Sequence, residues 1–346
     1  MNTIALVIIA RDEARCIARC LDSARAWVDE MWVLDTGSRD DTVPIARDHG
    51  ARVAGFVWCD DFAAARNAAL ALTACPWRLV LDADEWLESG GDSLASLRDE
   101  RDAFLGQLCV VSTADAAVVG SQRSLSWQSR VLPREVRYRG RVHEQPASAL
   151  PRRRLDVRIG HDGYHPAQMA RKGARNQRLL QQALAEQPAD AYLHYQLGKD
   201  HEVHGRFAQA EPCYAQADRL AQRQEPWRHD LLVRHLFTLK KLQCFEAALA
   251  LARSQQSHWP HSPDFFFTLG DVLLDWAVAD PVRAGELLPM VRDSWQQAVA
   301  VGENPSLADS VHGRGSFLAC HNLAVLHTAL GEDAQARHWR ERATAN

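Results

Sequence analysis

Trp77-Arg78-Leu79-Val80-Leu81-Asp82-Ala83-Asp84, residues 77–84, is the stretch on which the reading of this chain turns. Its first five residues, apolar but for Arg78, have the pattern of a strand buried on both faces of a parallel sheet. The run stops at two carboxylates spaced i, i+2. On an extended chain that spacing points both to one side, where they can share a hard divalent cation and the diphosphate it carries. A solvated turn is the commonest alternative for Asp-x-Asp, so the weight falls on the surroundings.

Working outward, Thr3-Ile4-Ala5-Leu6-Val7-Ile8-Ile9-Ala10 reads as a second fully buried strand. Asp12-Glu13 then begin a helix whose apolar positions Ile17, Leu21 and Trp27 recur at helical spacing. Met31-Trp32-Val33-Leu34 is another strand and runs into Asp35-Thr36-Gly37-Ser38, a turn that precedes a helix from Val43 to His49. A strand from Ala51 to Trp58, the acidic turn Cys59-Asp60-Asp61 and a helix from Phe62 to Leu72 lead back to the Asp82 strand. Strand and helix alternating in this way predict a parallel α/β sheet, which binds ligands at the carboxyl ends of its strands. Asp35, Asp60, Asp82 and Asp84 all fall at that edge.

Four segments in this order carry a family resemblance: Ala10-Arg11-Asp12-Glu13, Leu34-Asp35-Thr36-Gly37-Ser38-Arg39-Asp40, Asp60-Asp61-Phe62-Ala63-Ala64-Ala65-Arg66-Asn67 and Leu81-Asp82-Ala83-Asp84-Glu85-Trp86-Leu87. Together they resemble the motifs of family 2 glycosyltransferases with the GT-A fold, the last being the DXD motif. The resemblance covers roughly residues 1–165 and extends to the helical remainder, where it is similar to bacterial peptide and S-glycosyltransferases and to lipopolysaccharide-core glycosyltransferases. It implies transfer of a sugar, with inversion, from a nucleotide-sugar donor (a UDP-sugar) to a peptide or protein acceptor, or alternatively to lipopolysaccharide core or another glycan. It places Ala10, Asp12, Glu13, Asp35, Asp61, Arg66, Asp82, Ala83 and His143 against the donor. Asp84, Asp82 and His161 would hold Mn²⁺ or Mg²⁺. Asp12 departs from the family pattern, many relatives carrying Asn there.

These residue types suit the chemistry. A nucleoside diphosphate leaves readily only when the charge growing on it is neutralised, which a carboxylate-held metal does. Arg66 is the cation placed to contact the diphosphate or brace the Asp82 loop. A general base must lie on the acceptor side. Tyr138-Arg139-Gly140-Arg141-Val142-His143-Glu144 is similar to the Gly-x-x-His-Glu segment that follows the acceptor region in the relatives, which implies Glu144 as the base and His143 as its neighbour. No acidic dipeptide preceding a helix follows soon after, so Asp162 is the next candidate. Ile159-Gly160-His161-Asp162-Gly163-Tyr164 resembles the family's end-of-domain motif, where His161 would complete the metal or pyrophosphate shell.

From Lys172 onward strand signals give way to amphipathic helix. Leu197-Gly198, Gly205, Ala210, Tyr214 and Ala217 have the spacing of a tetratricopeptide helix pair, and Leu236, Ala248, Ala252 and Pro260 follow at matching offsets. A third unit begins near Phe266, Leu269 and Gly270, a fourth shows Leu323, Ala324, Gly331 and Ala336, and an insertion is expected between Asp280 and Ser310. The expected division is a catalytic domain over 1–168 and a tetratricopeptide-like helical domain over 169–346, the latter binding the acceptor or a second copy of the chain.

At 346 residues and 47% hydrophobic content the chain can build two cores. A net charge of −4 argues against nucleic acid as the main partner, since phosphate binding needs clustered Lys and Arg. The eight cysteines form no Cys-x-x-Cys pair, which suits reduced thiols in the cytoplasm. The N-terminal apolar run is too short for a membrane span and is followed by Arg11-Asp12-Glu13. Arg152-Arg153-Arg154 leaves room for peripheral association with the inner membrane. Two other classes compete with the glycosyltransferase. A repeat scaffold with a degenerate transferase domain is disfavoured by the intact Asp82, Asp84 and Arg66, and a nucleotidyltransferase by the lack of a Gly-rich phosphate loop.

Overall fold

The computed structural model describes residues 1–113, 123–161, 166–307 and 309–344. The chain divides into two compact units, Met1–Ser121 with Ser126–Ala183, and Gln122–Leu125 with Leu184–Asn346.

The first unit begins β1 (Ile4–Ala10), α1 (Ile17–Ala24), β2 (Glu30–Asp35), α2 (Thr42–Asp48), β3 (Arg52–Gly55), α3 (Phe62–Leu70), β4 (Trp77–Asp82), β5 (Glu85–Ser89) and α4 (Gly91–Ala95). It continues through β6 (Leu105–Thr113), β7 (Arg123–Pro133), β8 (Arg137–Arg139), β9 (Gln145–Ala147), β10 (Arg152–His161) and into α5 (Pro166–Glu186). The main sheet has the order β3-β2-β1-β4-β7-β6-β10-β5, and β8 and β9 form a separate hairpin.

β1 lies between β2 and β4, with Val7 level with Trp32 on one side and Val80 on the other. Alternation sends its side chains to two cores. Ile4, Leu6 and Ile8 pack with Ile17 and Leu21 of α1 on one face, while Ala5 and Val7 pack with Ala65, Ala69 and Leu70 of α3 on the other. A strand so placed must be apolar on both sides, which is why its sequence does not alternate.

The sheet is mixed. β1, β2, β3 and β4 pair in parallel, as do β6 and β10, whereas β4 with β7 and β5 with β10 are antiparallel. A two-residue link, Ala83-Asp84, is too short for the crossover a parallel neighbour would need, so β5 leaves β4 and pairs elsewhere. The first helix starts later than expected from Asp12-Glu13. Asp12 is left-handed at φ 56°, and the amides of Glu13 and Ala14 donate to Thr42 Oγ1 and Asp40 Oδ2 rather than entering a helix.

The second unit is helical: α6 (Ala191–Val203) with α7 (Phe207–Leu220), α8 (Arg228–Lys241) with α9 (Phe245–Gln255), α10 (Pro263–Ala279) with α11 (Ala284–Val301), and α12 (Phe317–Ala329) with α13 (Asp333–Thr344). The sequence predicts three to four tetratricopeptide-like pairs, and four helix pairs stand among the described residues. The stretch read as an insertion between Asp280 and Ser310 is mostly α11, the second helix of the third pair; its internal Pro289 obscured the helical pattern. Among the described residues no helix is long and apolar enough to cross a membrane.

Glycine sets the approach of paired helices at two equivalent places. A Cβ on Gly198 would lie 2.5 Å from the Tyr214 ring, and one on Gly270 would lie 2.4 Å from Trp295. Alanine at Gly285 of α11 would meet nothing within 4 Å. We therefore expect Gly198→Ala to lose about 1–2 kcal/mol, overpacking outweighing the roughly 1 kcal/mol gained in helix propensity. Gly285→Ala should be neutral or stabilising. Urea unfolding of the two variants beside the parent checks the contrast; equal stability of both would mean the α6–α7 approach is looser than the ring contact implies.

Candidate active site

The carboxyl ends of β1, β2 and β4 bring most of the residues singled out in the sequence to one edge. The β1–α1 and β2–α2 loops are laced together: Asp12 N–H donates to Ser38 Oγ at 3.0 Å, and Asp12 Oδ1 accepts from Arg39 N–H at 2.7 Å. The Asp35 carboxylate accepts from the amides of Gly37 and Ser38. Ala10 and Glu13 lie beside them, Glu13 N–H bonding Thr42 and Ala10 O accepting from Thr36. Asp61 serves locally as the N-cap of α3, accepting from Ala64 N–H at 2.8 Å.

α3 carries Arg66 beneath the acidic turn, with 7% of the residue exposed. Its Nη2 donates to Asp82 Oδ1 at 2.6 Å, and its Nε donates to Glu144 Oε1. Glu144 reaches this point because α3 also holds the β8–β9 hairpin. Asn67 exchanges two hydrogen bonds with the backbone of Tyr138, at 3.0 and 2.8 Å, and Phe62 N–H donates to Arg141 O. Left-handed Gly140 (φ 97°) and His143 (φ 51°) then turn the chain between the hairpin's strands. Arg66, Asp82 and Glu144 are thus one cluster assembled from three separate motifs, with Arg66 and Glu144 buried and Asp82 partly exposed.

Two further residues complete it that the sequence reading did not single out. Arg130 of β7 donates from Nη2 to Asp82 Oδ2 at 3.1 Å and to Glu85 Oε1 at 2.5 Å, and Glu85 Oε2 accepts the Asp82 N–H at 2.9 Å. The available signal was one of two arginines, Arg123 and Arg130, in the run 123–132, next to an apolar Val131 that is fully buried. Burial works to raise the Asp82 carboxyl, but Arg66 and Arg130 outweigh it and hold the group well below the usual carboxylate range. For Glu85, burial dominates: opposed by Arg130 and reinforced by Asp82, it pushes the carboxyl up to about 7.

Asp84, 5% exposed, sits at the tip between β4 and β5. The β5–β10 register sets His161 opposite Glu85, which leaves His161 Nε2 3.8 Å from Asp84 Oδ2. Gly160 lets the strands meet there, since a Cβ would lie 2.3 Å from the Trp86 ring. A single ion with bonds of about 2.1 Å to each atom could reach both donors, so this pair fits a shared cation. Among the described residues no group of three or more His, Cys, Asp or Glu side chains forms a closed metal cage. An all-protein cage is not what a diphosphate-carrying Mg²⁺ or Mn²⁺ needs, because phosphate oxygens and water fill its remaining positions. Ala83 lies buried within the turn, and His143 sits one residue before Glu144 in the hairpin. Asp162, the second candidate base, lies outside the described residues.

Replacing Arg66 by methionine should cost about 3 kcal/mol, toward the low end for breaking a buried ion pair, because Asp82 is 37% exposed and can partly rehydrate while Glu144 cannot. Chemical denaturation checks it; a loss under about 1 kcal/mol would mean that Glu144 finds another partner.

The family model for glycosyl transferase family 2 matches residues 5–154. A TPR repeat-containing protein of Synechococcus elongatus is 34% identical over 257 residues, which are 70% of this chain and 63% of that protein. The SPbeta prophage-derived glycosyltransferase SunS of Bacillus subtilis is 27% identical over 206 residues, 57% of this chain and 49% of SunS. The chain thus spans about half to somewhat under two thirds of these relatives. Among solved structures, MamA aligns with 52% of this chain and 94% of its own, at 12% identity and a TM-score of 0.40.

Proposed function

We propose, from the match of residues 5–154 to the glycosyl transferase family 2 model, that the protein transfers a sugar, with inversion, from a UDP-sugar or related nucleotide-sugar to a peptide or protein acceptor. The observation that carries this reading is the Asp82–Asp84 turn at the carboxyl edge of the sheet, with Arg66 and Glu144 directly beneath it and His161 beside it.

The laced loops of Ala10, Asp12, Glu13 and Asp35 would receive the nucleoside. Asp84 and His161 would hold Mn²⁺ or Mg²⁺; bound there, the cation would neutralise charge on the departing diphosphate. Glu144 would take the proton from the acceptor nucleophile, and Arg66, bonded to both Glu144 and Asp82, would fix the acceptor-side and donor-side carboxylates relative to each other. Asp82 already carries two guanidinium partners, so its part would be to frame the turn, with any ribose or metal contact secondary. Asp61 and His143 would bound the pocket from the α3 end and the β8–β9 hairpin.

The division into a catalytic domain, 1–168, and a helical domain, 169–346, belongs to this proposal; α5 runs across that boundary. A stack of helix pairs suits an extended peptide or a second copy of the chain better than a small sugar, which favours a peptide or protein acceptor over a glycan. Nucleotide-sugars are cytoplasmic substrates, so the reaction would run there or at the inner face of the inner membrane.

Incubating the purified protein with Mn²⁺ and a panel of nucleotide-sugars, and measuring the nucleoside diphosphate released, tests the reading and names the donor. Release from one donor, raised by peptide, supports it. Release raised only by glycan acceptors moves the acceptor assignment. An absence of both release and nucleoside diphosphate binding would leave a non-catalytic scaffold.

A further inference from the structure

The acidic turn is held by a closed ring of hydrogen bonds that runs through Arg130. Asp82 N–H donates to Glu85 Oε2 at 2.9 Å, Glu85 Oε1 accepts from Arg130 Nη2 at 2.5 Å, and the same Nη2 donates to Asp82 Oδ2 at 3.1 Å. The residues enclosed by this ring are Ala83 and Asp84. Arg130 and Glu85 are both buried, with side chains 9% and 2% exposed. The guanidinium arrives from a different strand, one residue from the last β4–β7 pair, Leu79 with Val131. The turn is therefore braced from the sheet and not only from its own backbone.

We propose that Arg130 is a positioning residue for donor binding, which sets the Ala83-Asp84 turn by bonding Asp82 and Glu85 at once. The inference rests on the glycosyltransferase reading of the Asp84 site and adds a residue to it. Arg66 and Arg130 divide the work. Arg66 takes Asp82 Oδ1 and reaches on to Glu144, so it belongs to the transfer machinery. Arg130 takes Oδ2 and Glu85, and so acts through the turn alone. With an arginine on each oxygen, Asp82 is a poor further ligand for a cation, and the cation falls to Asp84, whose place depends on how the ring sets the tip. Both bonds leave one terminal nitrogen, so lysine lacks reach and not donors: its ammonium has three hydrogens but ends short of the place Arg130 Nη2 takes between Asp82 and Glu85.

Arg130→Met and Arg130→Lys test this with two readouts besides turnover. One is calorimetric binding of UDP in the presence of Mn²⁺. The other is amide hydrogen exchange at residues 82–85 in metal-free protein. Loss of an orienting partner behind a metal ligand typically costs 10–100-fold in affinity, and that is the loss expected for Arg130→Met, with Arg130→Lys between it and the parent. The Asp82 amide should exchange at least tenfold faster in Arg130→Met, with circular dichroism unchanged. Both variants binding Mn²⁺–UDP within twofold of the parent, or an Asp82 amide as protected as before, would overturn the proposal. If Arg130→Met does not fold, Arg130→Lys decides alone, a threefold or greater loss supporting the inference and a smaller one overturning it. Parent protein that binds no Mn²⁺–UDP, or Asp84→Asn that binds it normally, brings down the reading of the Asp84 site. The exchange arm needs no ligand and still decides whether Arg130 sets the turn.

Discussion

Asp84→Asn is expected to abolish Mn²⁺-dependent binding of the nucleoside diphosphate and to lower turnover by about 10³-fold or more, while the fold survives. Asparagine keeps the size and one oxygen but removes the charge that would hold the cation. Neutralising charge on a leaving diphosphate is worth several kcal/mol in the transition state, which sets the scale. The fold should survive because the hydrogen-bonded ring around the turn is made by Asp82, Glu85 and Arg130, and not by Asp84. His161, 3.8 Å away, cannot substitute, since a single neutral imidazole is a weak ligand for a hard cation. Calorimetry with UDP and Mn²⁺ is the direct measurement, and binding unchanged from the parent would remove Asp84 from the donor site.

Glu144→Gln is expected to lower transfer by about 10²- to 10⁴-fold, the usual worth of a general base, and to leave UDP binding within about twofold. The variant is informative because Gln can still accept a hydrogen bond from Arg66 Nε, so the Arg66 bridge can persist while proton acceptance is lost. If Glu144 served only to brace Arg66, Gln would retain most of the activity. Near-parental transfer rates would therefore leave Glu144 as a structural partner and send the search for the base elsewhere on the acceptor side. A thiol acceptor would shrink the loss, being partly ionised near neutral pH.

The sheet and its edge were legible in the sequence because runs such as Ile4–Ala10 and Trp77–Leu81 have no polar face to misread, and because strand and helix alternate at short spacing. The ends of elements were less legible. Asp12 and Glu13 look like a helix start, but side chains from the next loop, Asp40 and Thr42, take the amides that a helix would use. Such contacts come from residues distant in the chain, and local pattern carries no trace of them. The same holds in the cluster under the turn. Arg66 and Asp82 could be matched through their motifs, whereas Arg130 lies in a strand that carries none of those motifs, and its partners appear only when β7 lies beside β4. The α11 stretch was misjudged for a different reason: Pro289 within it reads as a break, whereas the helix is held by its buried Leu287, Val291, Trp295 and Ala298.

The pairing of Asp84 with His161 has a consequence for how the protein is made. Asp84 stands in the turn before β5 and His161 at the end of β10, strands that pair at one end of the sheet although β6 to β9 come between them in the chain. A chain emerging from the ribosome exposes the acidic turn, then Arg130, then the hairpin with Glu144, and only afterwards His161. Because contacts of such long separation form slowly and late, nascent or truncated protein ending before β10 would carry Asp84, Arg130 and Glu144 yet lack His161. If Asp84 and His161 hold a cation as proposed, donor affinity would appear only near the end of the synthesis of the first unit.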